Sequence, residues 1–581
     1  MSAGADEEPP AWDVNWSQLW DRVANALPDA PAIETLGEVL SYAELEDRAA
    51  RLARTFAELG VGPGDAVGLF LYNRAEYLES IYAAFKLGAV PVNMNFRYRA
   101  KELAELIAIA RVQVLVAPSS LRAEVLGALS MVEEAAGGGR LETTRPAHIE
   151  IDDTSPGSLS ERSESTGSLK STGSLSERSE SKGAIPYESA IGDRHDGPDP
   201  RSGRDPIYLF TGGTTGTPKA VVWRHGDLLD AQLVSLYGTG PGAVLPASVE
   251  EMVAVATDPA RPAPRMLPIA PLMHSSAMFN SMNTLTLGGT VVFLNNPRFD
   301  PAQVLRTVQD RGVTRTVIAG NAVAAPLVDE LQRAAAAGEP YDVSSLDLVT
   351  SSGMAWTDDS KAELLAHLRD ALLFDIFGAT EGGPFAYAFV RSADDLPSRI
   401  VLAQGAAVLD EDGNELDRES GETGVLAYAG PKPLGYLDAP EKTLETYRRV
   451  GERTYVVPGD FVRLVGGGRI EFLGRGSATV NTGGEKVYPA EVEDALRLHP
   501  DVTDAVVFGV ADRRWGQAVA AVVAVREGSS VTPETLRDHV GEHLAGYKKP
   551  RRLVVVDSLE RTPSGKADMR RLKALVESQV E

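Results

Sequence analysis

The chain has 581 residues, of which 43% are hydrophobic and 24% charged, a balance that suits a globular protein with sizeable cores. Its formal net charge of −25 argues against nucleic acid or an anionic membrane as the main partner, so an anionic ligand must be met by local basic groups. The absence of cysteine excludes disulfides, thiolate metal sites and a cysteine nucleophile. In chain order, the first ten residues are acidic and lack the apolar stretch of a secretory signal, and no run reaches the length of a membrane span, so a cytoplasmic protein is the expectation. Residues 1–14 read as a loose tail. Trp16, Leu19, Trp20 and Val23 then recur at helical spacing. Ser41-Tyr42-Ala43-Glu44 is a capping box that opens a helix with Leu45, Ala49, Leu52, Phe56 and Leu59 on one face, closed by Gly60. A strand from Ala66 to Tyr72, a helix from Ala75 to Leu87 closed by Gly88, and a strand from Ala89 to Met94 form a parallel βαβ unit.

Residues 154–183 interrupt this pattern. The nonapeptide Gly-Ser-Leu-Ser-Glu-Arg-Ser-Glu-Ser occurs at 157–165 and again at 173–181, in a stretch almost free of bulky apolar residues. Such a segment cannot offset its ordering entropy by burial, and it is expected to be a disordered insertion. Strands resume at Ile207–Phe210, Thr290–Leu294, Thr314–Ile318, Leu346–Thr350 and Leu372–Phe377, with helical stretches between many of them. The expected fold class is α/β: a large N-terminal region with parallel βαβ sheets, followed by a small mobile α+β C-terminal domain. That domain is expected over 478–581, with a helix opened by Pro489, strands at Ala505–Val510, Val519–Val525 and Leu553–Val556, and a helix over Pro533–Leu544.

The chemistry concentrates in short loops. Thr211-Gly212-Gly213-Thr214-Thr215-Gly216-Thr217-Pro218-Lys219 follows a buried strand and has the composition of a phosphate-gripping loop. Its glycines allow close backbone approach, successive N–H groups can form an anion nest, and hydroxyls and a lysine add donors. It is not a Walker A loop. Ser351-Ser352-Gly353 ends a strand, and Gly353 lets the backbone approach a ligand closely. Downstream of the loop come Asp375-Ile376-Phe377-Gly378-Ala379-Thr380-Glu381, Pro458-Gly459-Asp460, Gly474-Arg475, Gly483-Gly484-Glu485 and Pro563-Ser564-Gly565-Lys566. In this order the motifs resemble the adenylate-forming enzymes: acyl-CoA synthetases, peptide-synthetase adenylation domains and luciferases. The resemblance runs over nearly the whole chain. Val222-Trp223-Arg224-His225 and Gly483-Gly484-Glu485-Lys486-Val487-Tyr488-Pro489 are most similar to actinobacterial ligases of fatty acids and steroid side-chain acids.

The resemblance implies ATP, Mg²⁺ and coenzyme A as ligands, and a reaction in which a carboxylate attacks the α-phosphorus of ATP to give an acyl-adenylate. By the same resemblance the 211–219 loop grips the β- and γ-phosphates, Thr380 reaches the α-phosphate, Glu381 holds Mg²⁺ and Phe377 stacks on adenine beside Gly353. Asp460 and Arg475 take the ribose, although relatives carry threonine where Pro458 stands here. Lys566 bridges the carboxylate and the α-phosphate. His274 lines the passage between the acyl and pantetheine sites. Gly483-Gly484-Glu485 lines the pantetheine tunnel after the small domain turns about a hinge at 475–477, where Ser477 replaces the usual aspartate or lysine. Ser275 follows His274 where amino-acid-activating relatives carry aspartate, which argues against an amino-acid substrate. Met278, Phe279, Met282, Val323 and Ala324 suit either an apolar acyl pocket or plain core. Lys548, Lys549, Arg551 and Arg552 suit either the CoA phosphates or a solvated face. The expected activity is acyl-CoA synthesis from a hydrophobic acid. An acyl-AMP ligase loading a carrier protein, a non-catalytic nucleotide-binding scaffold and luciferase-like oxidation stay open, as does a homodimer.

Overall fold

The computed structural model describes residues 9–137, 145–153, 183–193, 201–211, 219–238, 244–294, 296, 298–354, 356–368, 370–475, 480–482, 485–512, 516–544, 546–561 and 567–578. Most of the expected insertion, the 212–218 loop, residues 476–479, Gly483, Gly484 and Lys566 lie outside these. The chain divides into two compact units. The first comprises 1–384, 388–398 and 430–445; the second comprises 385–387, 399–429 and 446–581.

The first unit opens with helix α1 (Trp16–Ala26), capped by Asn15 with Gln18 closing the box. Helix α2 (Tyr42–Glu58) starts on the Ser41/Glu44 capping box legible in the sequence, and Gly60 leaves it with φ +91°. Strand β1 (Ala66–Leu69), helix α3 (Ala75–Lys86) and strand β2 (Val90–Asn93) make the expected parallel unit, somewhat shorter at the ends. Strands β3 (Val112–Pro118), β4 (Ala147–Ile151), β5 (Ile185–Pro186), β6 (Pro206–Thr211) and β7 (Lys219–Arg224) follow, then helix α4 (His225–Tyr237). Next come β8 (Arg265–Pro268), α5 (Ser275–Thr286), β9 (Thr290–Val292), β10 (Arg315–Ile318), β11 (Leu348–Ser352), β12 (Leu372–Ala379) and the two-residue β13 (Gly435–Tyr436).

These strands build two sheets. One runs β13-β7-β6-β2-β1-β3-β4-β5, and the other contains the order β12-β11-β10-β8-β9 followed by Pro31–Glu34 and Val39–Ser41. The second sheet is parallel from β12 through Pro31–Glu34. In the first, β6, β7 and β13 pair antiparallel. The expectation of parallel sheets therefore holds for their centres and not at this edge. The reason is length: seven residues join β6 to β7, too few for a parallel crossover.

Strands such as β1 and β2 are buried at every position, because helices cover both faces of a parallel sheet. Among the described residues, charge in this interior comes in company. Arg48 on α2 donates to Glu79 on α3 at 2.9 Å and to Glu188 at 3.0 Å, and the Tyr187 hydroxyl donates to Glu79 at 2.9 Å.

Strands β4 and β5 are parallel neighbours, with Ile149 opposite Ile185. The insertion therefore leaves and rejoins the sheet as a crossover. Replacing 154–182 with a neutral linker of about a dozen residues, enough for such a return, is expected to move the melting temperature by less than about 2 °C. A larger drop in a thermal scan would mean that packed contacts depend on the insertion.

The second unit holds two sheets. In the first, strand β14 (Asp460–Leu464) lies between Thr423–Tyr428 and β15 (Ile470–Arg475), in an antiparallel array. The other contains β16 (Val502–Asp512), β17 (Gly516–Val525) and β18 (Arg552–Val556), with helix α6 (Pro489–Arg497) opened by its proline and helix α7 (Pro533–His543). Val492, Leu496, Val507, Val523, Leu536 and Val540 close its core, as the strand and helix expectations for this stretch require.

Candidate active site

Thr211 and Lys219 are cross-strand partners at the open end of the β6–β7 ladder, which runs back to Pro206 opposite Arg224. The base of the candidate phosphate loop is thus pinned by paired backbone. Gly212, Gly213, Thr214, Thr215 and Gly216 lie outside the described residues. The other edge of β7 is taken by β13, with Gly435 opposite Val222 and Tyr436 opposite Val221. Gly435 sits at φ +137°, and a Cβ there would come within 2.5 Å of Thr443, so only glycine lets this two-residue strand reach the sheet.

These two strands grip the turn that follows β12. The Trp223 indole N–H donates to the Thr380 carbonyl at 2.9 Å, and the Tyr436 hydroxyl donates to Oε1 of Glu381 at 2.7 Å. Both turn residues are half-buried. The turn that carries the expected phosphate and magnesium groups is therefore held by the strand that returns from the expected phosphate loop and by that strand's edge neighbour. The sequence had singled out Trp223 only as part of a run, and it gave no sign of Tyr436. That partner lies 55 residues from Glu381 on a strand too short for any periodicity.

The run around Trp223 has separable local roles. Arg224 forms an ion pair with Asp227 across the first turn of α4. His225 is buried and accepts the Trp16 N–H on Nδ1 at 2.9 Å, and burial pushes its pKa down to about 3, so the ring is neutral and ties α1 to α4.

Beside this turn, β11 and β12 pair in parallel, with Ser351 opposite Asp375 and Ser352 opposite Ile376. Ser351 is fully buried and its hydroxyl accepts the Gly320 N–H at 3.1 Å. Ser352 is half-buried, and Gly353 is exposed at φ +82° with no atom within 4 Å of where a Cβ would sit. Phe377 is half-buried near the end of β12. Behind it the Asp375 carboxylate meets Lys361 Nζ at 3.1 Å, and that ammonium also donates to Ser398 at 3.1 Å. Burial raises the Asp375 pKa and the Lys361 charge opposes it.

His274 is exposed and caps α5, its own N–H bonded to the Pro271 carbonyl. On α5, Met278 and Met282 are buried and Phe279 is half-buried. The Asn93 amide lies 3.0 Å from the Met278 sulfur. The far end of α5 is anchored by Trp16 and Trp20, whose indoles both donate to Thr286 at 3.0 and 3.1 Å. Ala324 belongs to the core with Leu267, Ile318 and Leu327, and Val323 packs against it, which favours the plain-core alternative for that pair.

In the second unit, Asp460 is half-buried, opens β14 and lies directly opposite Arg475 on β15, after Gly459 at φ +96°. The two residues expected at the ribose thus share one rung of a ladder. Thr482 and Glu485 are likewise cross-strand partners on either side of Gly483 and Gly484. Of the basic cluster, Lys548 is paired with Glu491 and Lys549 with Asp538. These partners reduce the charge available to CoA phosphates. Ser477 and Lys566 lie outside the described residues.

Residues 20–436 match the AMP-binding enzyme family, and residues 491–566 match the AMP-binding enzyme C-terminal domain. A medium/long-chain-fatty-acid–CoA/3-oxocholest-4-en-26-oate–CoA ligase of Mycolicibacterium smegmatis is 36% identical, with 97% of each chain covered. A 3-oxocholest-4-en-26-oate–CoA ligase of Rhodococcus rhodochrous is 33% identical over 96% of this chain and 95% of its own. Among solved structures, ATP-bound MatB from Rhodopseudomonas palustris superposes with a TM-score of 0.73 at 24% identity, covering 97% of this chain and all of the other, which bears on the fold. With the motif order, the two-unit α/β architecture and full-length similarity in agreement, the chain belongs to the AMP-binding family of adenylate-forming enzymes.

Proposed function

We propose that this protein is an ATP- and Mg²⁺-dependent acid–CoA ligase that activates a hydrophobic carboxylic acid, of fatty or steroid side-chain type, as acyl-AMP and transfers it to CoA. The observation that carries this reading is the clamp of Trp223 and Tyr436 on Thr380-Glu381, beside the strand that returns from the 212–218 stretch. The relatives named for fatty and 3-oxocholestenoic acids support the substrate class. No described helix is long and apolar enough to cross a membrane, and a cytoplasmic location fits the three small-molecule substrates.

In the first half-reaction the substrate carboxylate attacks the α-phosphorus and pyrophosphate leaves. The residues from Thr211 to Lys219 hold the leaving phosphates, and Thr380 orients the α-phosphate for in-line attack. Glu381 suits Mg²⁺: it is an oxygen donor, half-buried, and fixed in direction by the Tyr436 hydroxyl. The metal when bound would supply charge neutralisation at the phosphates. Phe377 covers the adenine, while Asp460 and Arg475 take the ribose. Lys566 brings the two anions together, and the 475–477 hinge lets Gly483-Gly484-Glu485 serve the second half-reaction, in which the CoA thiol attacks the acyl carbonyl and AMP leaves. The domain division behind this step is 1–474 and 478–581.

The test is AMP release over a panel of fatty and steroid acids, with and without CoA. CoA-dependent thioester formation with apolar acids is expected. Acyl-AMP accumulation that CoA does not discharge would replace this reading with a carrier-loading ligase. Tyr436→Phe tests the clamp: losing one hydrogen bond to a charged group, about 1.5–3 kcal/mol, is expected to raise the half-saturating Mg²⁺ concentration roughly tenfold or more. The maximal rate at saturating Mg²⁺ should stay nearly unchanged. An unaltered Mg²⁺ dependence would remove Glu381 from the metal.

A further inference from the structure

The second unit carries a different chemistry at the end of α7. His539, Glu542 and His543 stand at i, i+3 and i+4, so one helical face presents all three. A donor atom of each lies within 4.8 Å of the others, and among the described residues this is the group of histidine and acidic side chains close enough to share a metal ion. His539 is half-buried; Glu542 and His543 are exposed.

A second observation concerns the proton on His539. Its Nε2 lies 3.1 Å from the Ala495 carbonyl on α6. A carbonyl can only accept, so Nε2 carries the hydrogen and the lone pair is left on Nδ1. An imidazole whose second nitrogen donates to a backbone carbonyl is the usual arrangement around a bound metal, because it fixes both tautomer and ring direction. The neighbouring His499 differs. It packs edge-on against His539 with ring centroids 5.2 Å apart, but its Nδ1 accepts the Asp501 N–H at 3.3 Å. With Nδ1 accepting that bond, its hydrogen lies on Nε2 and no free lone pair is offered to a cation. The helix end adds to the case, since the last turn of a helix carries a partial negative charge that favours a cation.

We propose that His539, Glu542 and His543 form a binding site for a divalent transition cation of the zinc class, with the remaining coordination position left to water. Two imidazoles and one carboxylate suit zinc and its neighbours, whereas magnesium prefers oxygen donors and keeps its waters. The site therefore does not compete for the Mg²⁺ of the adenylation reaction. A cation held there pins the last turn of α7, whose His539 already hydrogen-bonds to the Ala495 carbonyl of α6.

The experiment is calorimetric titration of the chelator-stripped full chain with zinc chloride, in excess Mg²⁺, repeated with cobalt(II) for its visible absorption. One zinc per chain is expected, with a dissociation constant in the range of about 1–10 μM. His543→Ala, at an exposed position, should weaken binding at least about tenfold, and Glu542→Gln several-fold. His499→Ala should stay within about threefold. No zinc uptake by the wild type at about 100 μM, or titrations of His543→Ala and Glu542→Gln that superimpose on the wild type, would overturn the site. So would a loss in His499→Ala as large as that in His543→Ala.

Discussion

Lys566→Ala is expected to lower acyl-adenylate formation by about 10²–10³-fold, the usual cost of removing one preorganised electrostatic group from a transition state. The same variant should convert supplied acyl-AMP and CoA to thioester within about threefold of the wild-type rate. The asymmetry follows from charge. In the first half-reaction a carboxylate must approach a phosphate, and the lysine offsets their repulsion. In the second, a thiol attacks an acyl carbonyl and AMP departs, with no such pair of anions to hold together. Two single-turnover rates decide the matter. Equal losses in both half-reactions would make Lys566 a structural residue, and no loss in either would remove it from the site.

Arg48→Met is expected to give the largest loss of stability, about 3–5 kcal/mol at neutral pH, because it leaves buried charge without its partner. Glu79 is fully buried between α2 and α3, and its pKa is raised by burial and held down by Arg48. Removing the guanidinium lifts it further. A carboxyl whose folded pKa lies above its unfolded one imposes no penalty below the unfolded value; the penalty grows as pH rises from there and is complete above the folded value. The deficit of the variant relative to wild type should therefore be smallest near pH 4–5 and widen toward pH 8. Calorimetric scans at the two ends of that window test both size and sign. A deficit below about 1 kcal/mol would assign the network to the solvent-exposed class. One that stays constant with pH would mean Glu79 does not carry it.

What could be read in the sequence was what neighbouring residues encode. The Ser41/Glu44 box, the glycine exits at Gly60 and Gly88, and the apolar runs of β1, β2, β11 and β12 depend on contacts within a few residues, and they stand as expected. The order of strands in the sheets depends on partners far apart in the chain, and no local period encodes it. The antiparallel edge at β6, β7 and β13 was legible in principle, since seven residues cannot make a crossover, but the strong βαβ alternation elsewhere pointed the other way. The candidate site was proposed from loop composition. Its support was not legible there, because Tyr436, Lys361 and the Gly435 turn contribute one side chain or one backbone angle each.

Six tryptophans are present, and one of them, Trp223, has its indole N–H bound to the backbone of the turn between Thr380 and Glu381. Indole emission responds to the hydrogen bond at that nitrogen and to charge brought near the ring. The enzyme thus carries an intrinsic optical reporter wired to the place where triphosphate and metal are expected. The spectrum lost in Trp223→Phe isolates that one signal from Trp16 and Trp20, whose indoles report instead on the anchored end of α5. Nucleotide arrival is therefore expected to register in that difference spectrum, in the unlabelled protein.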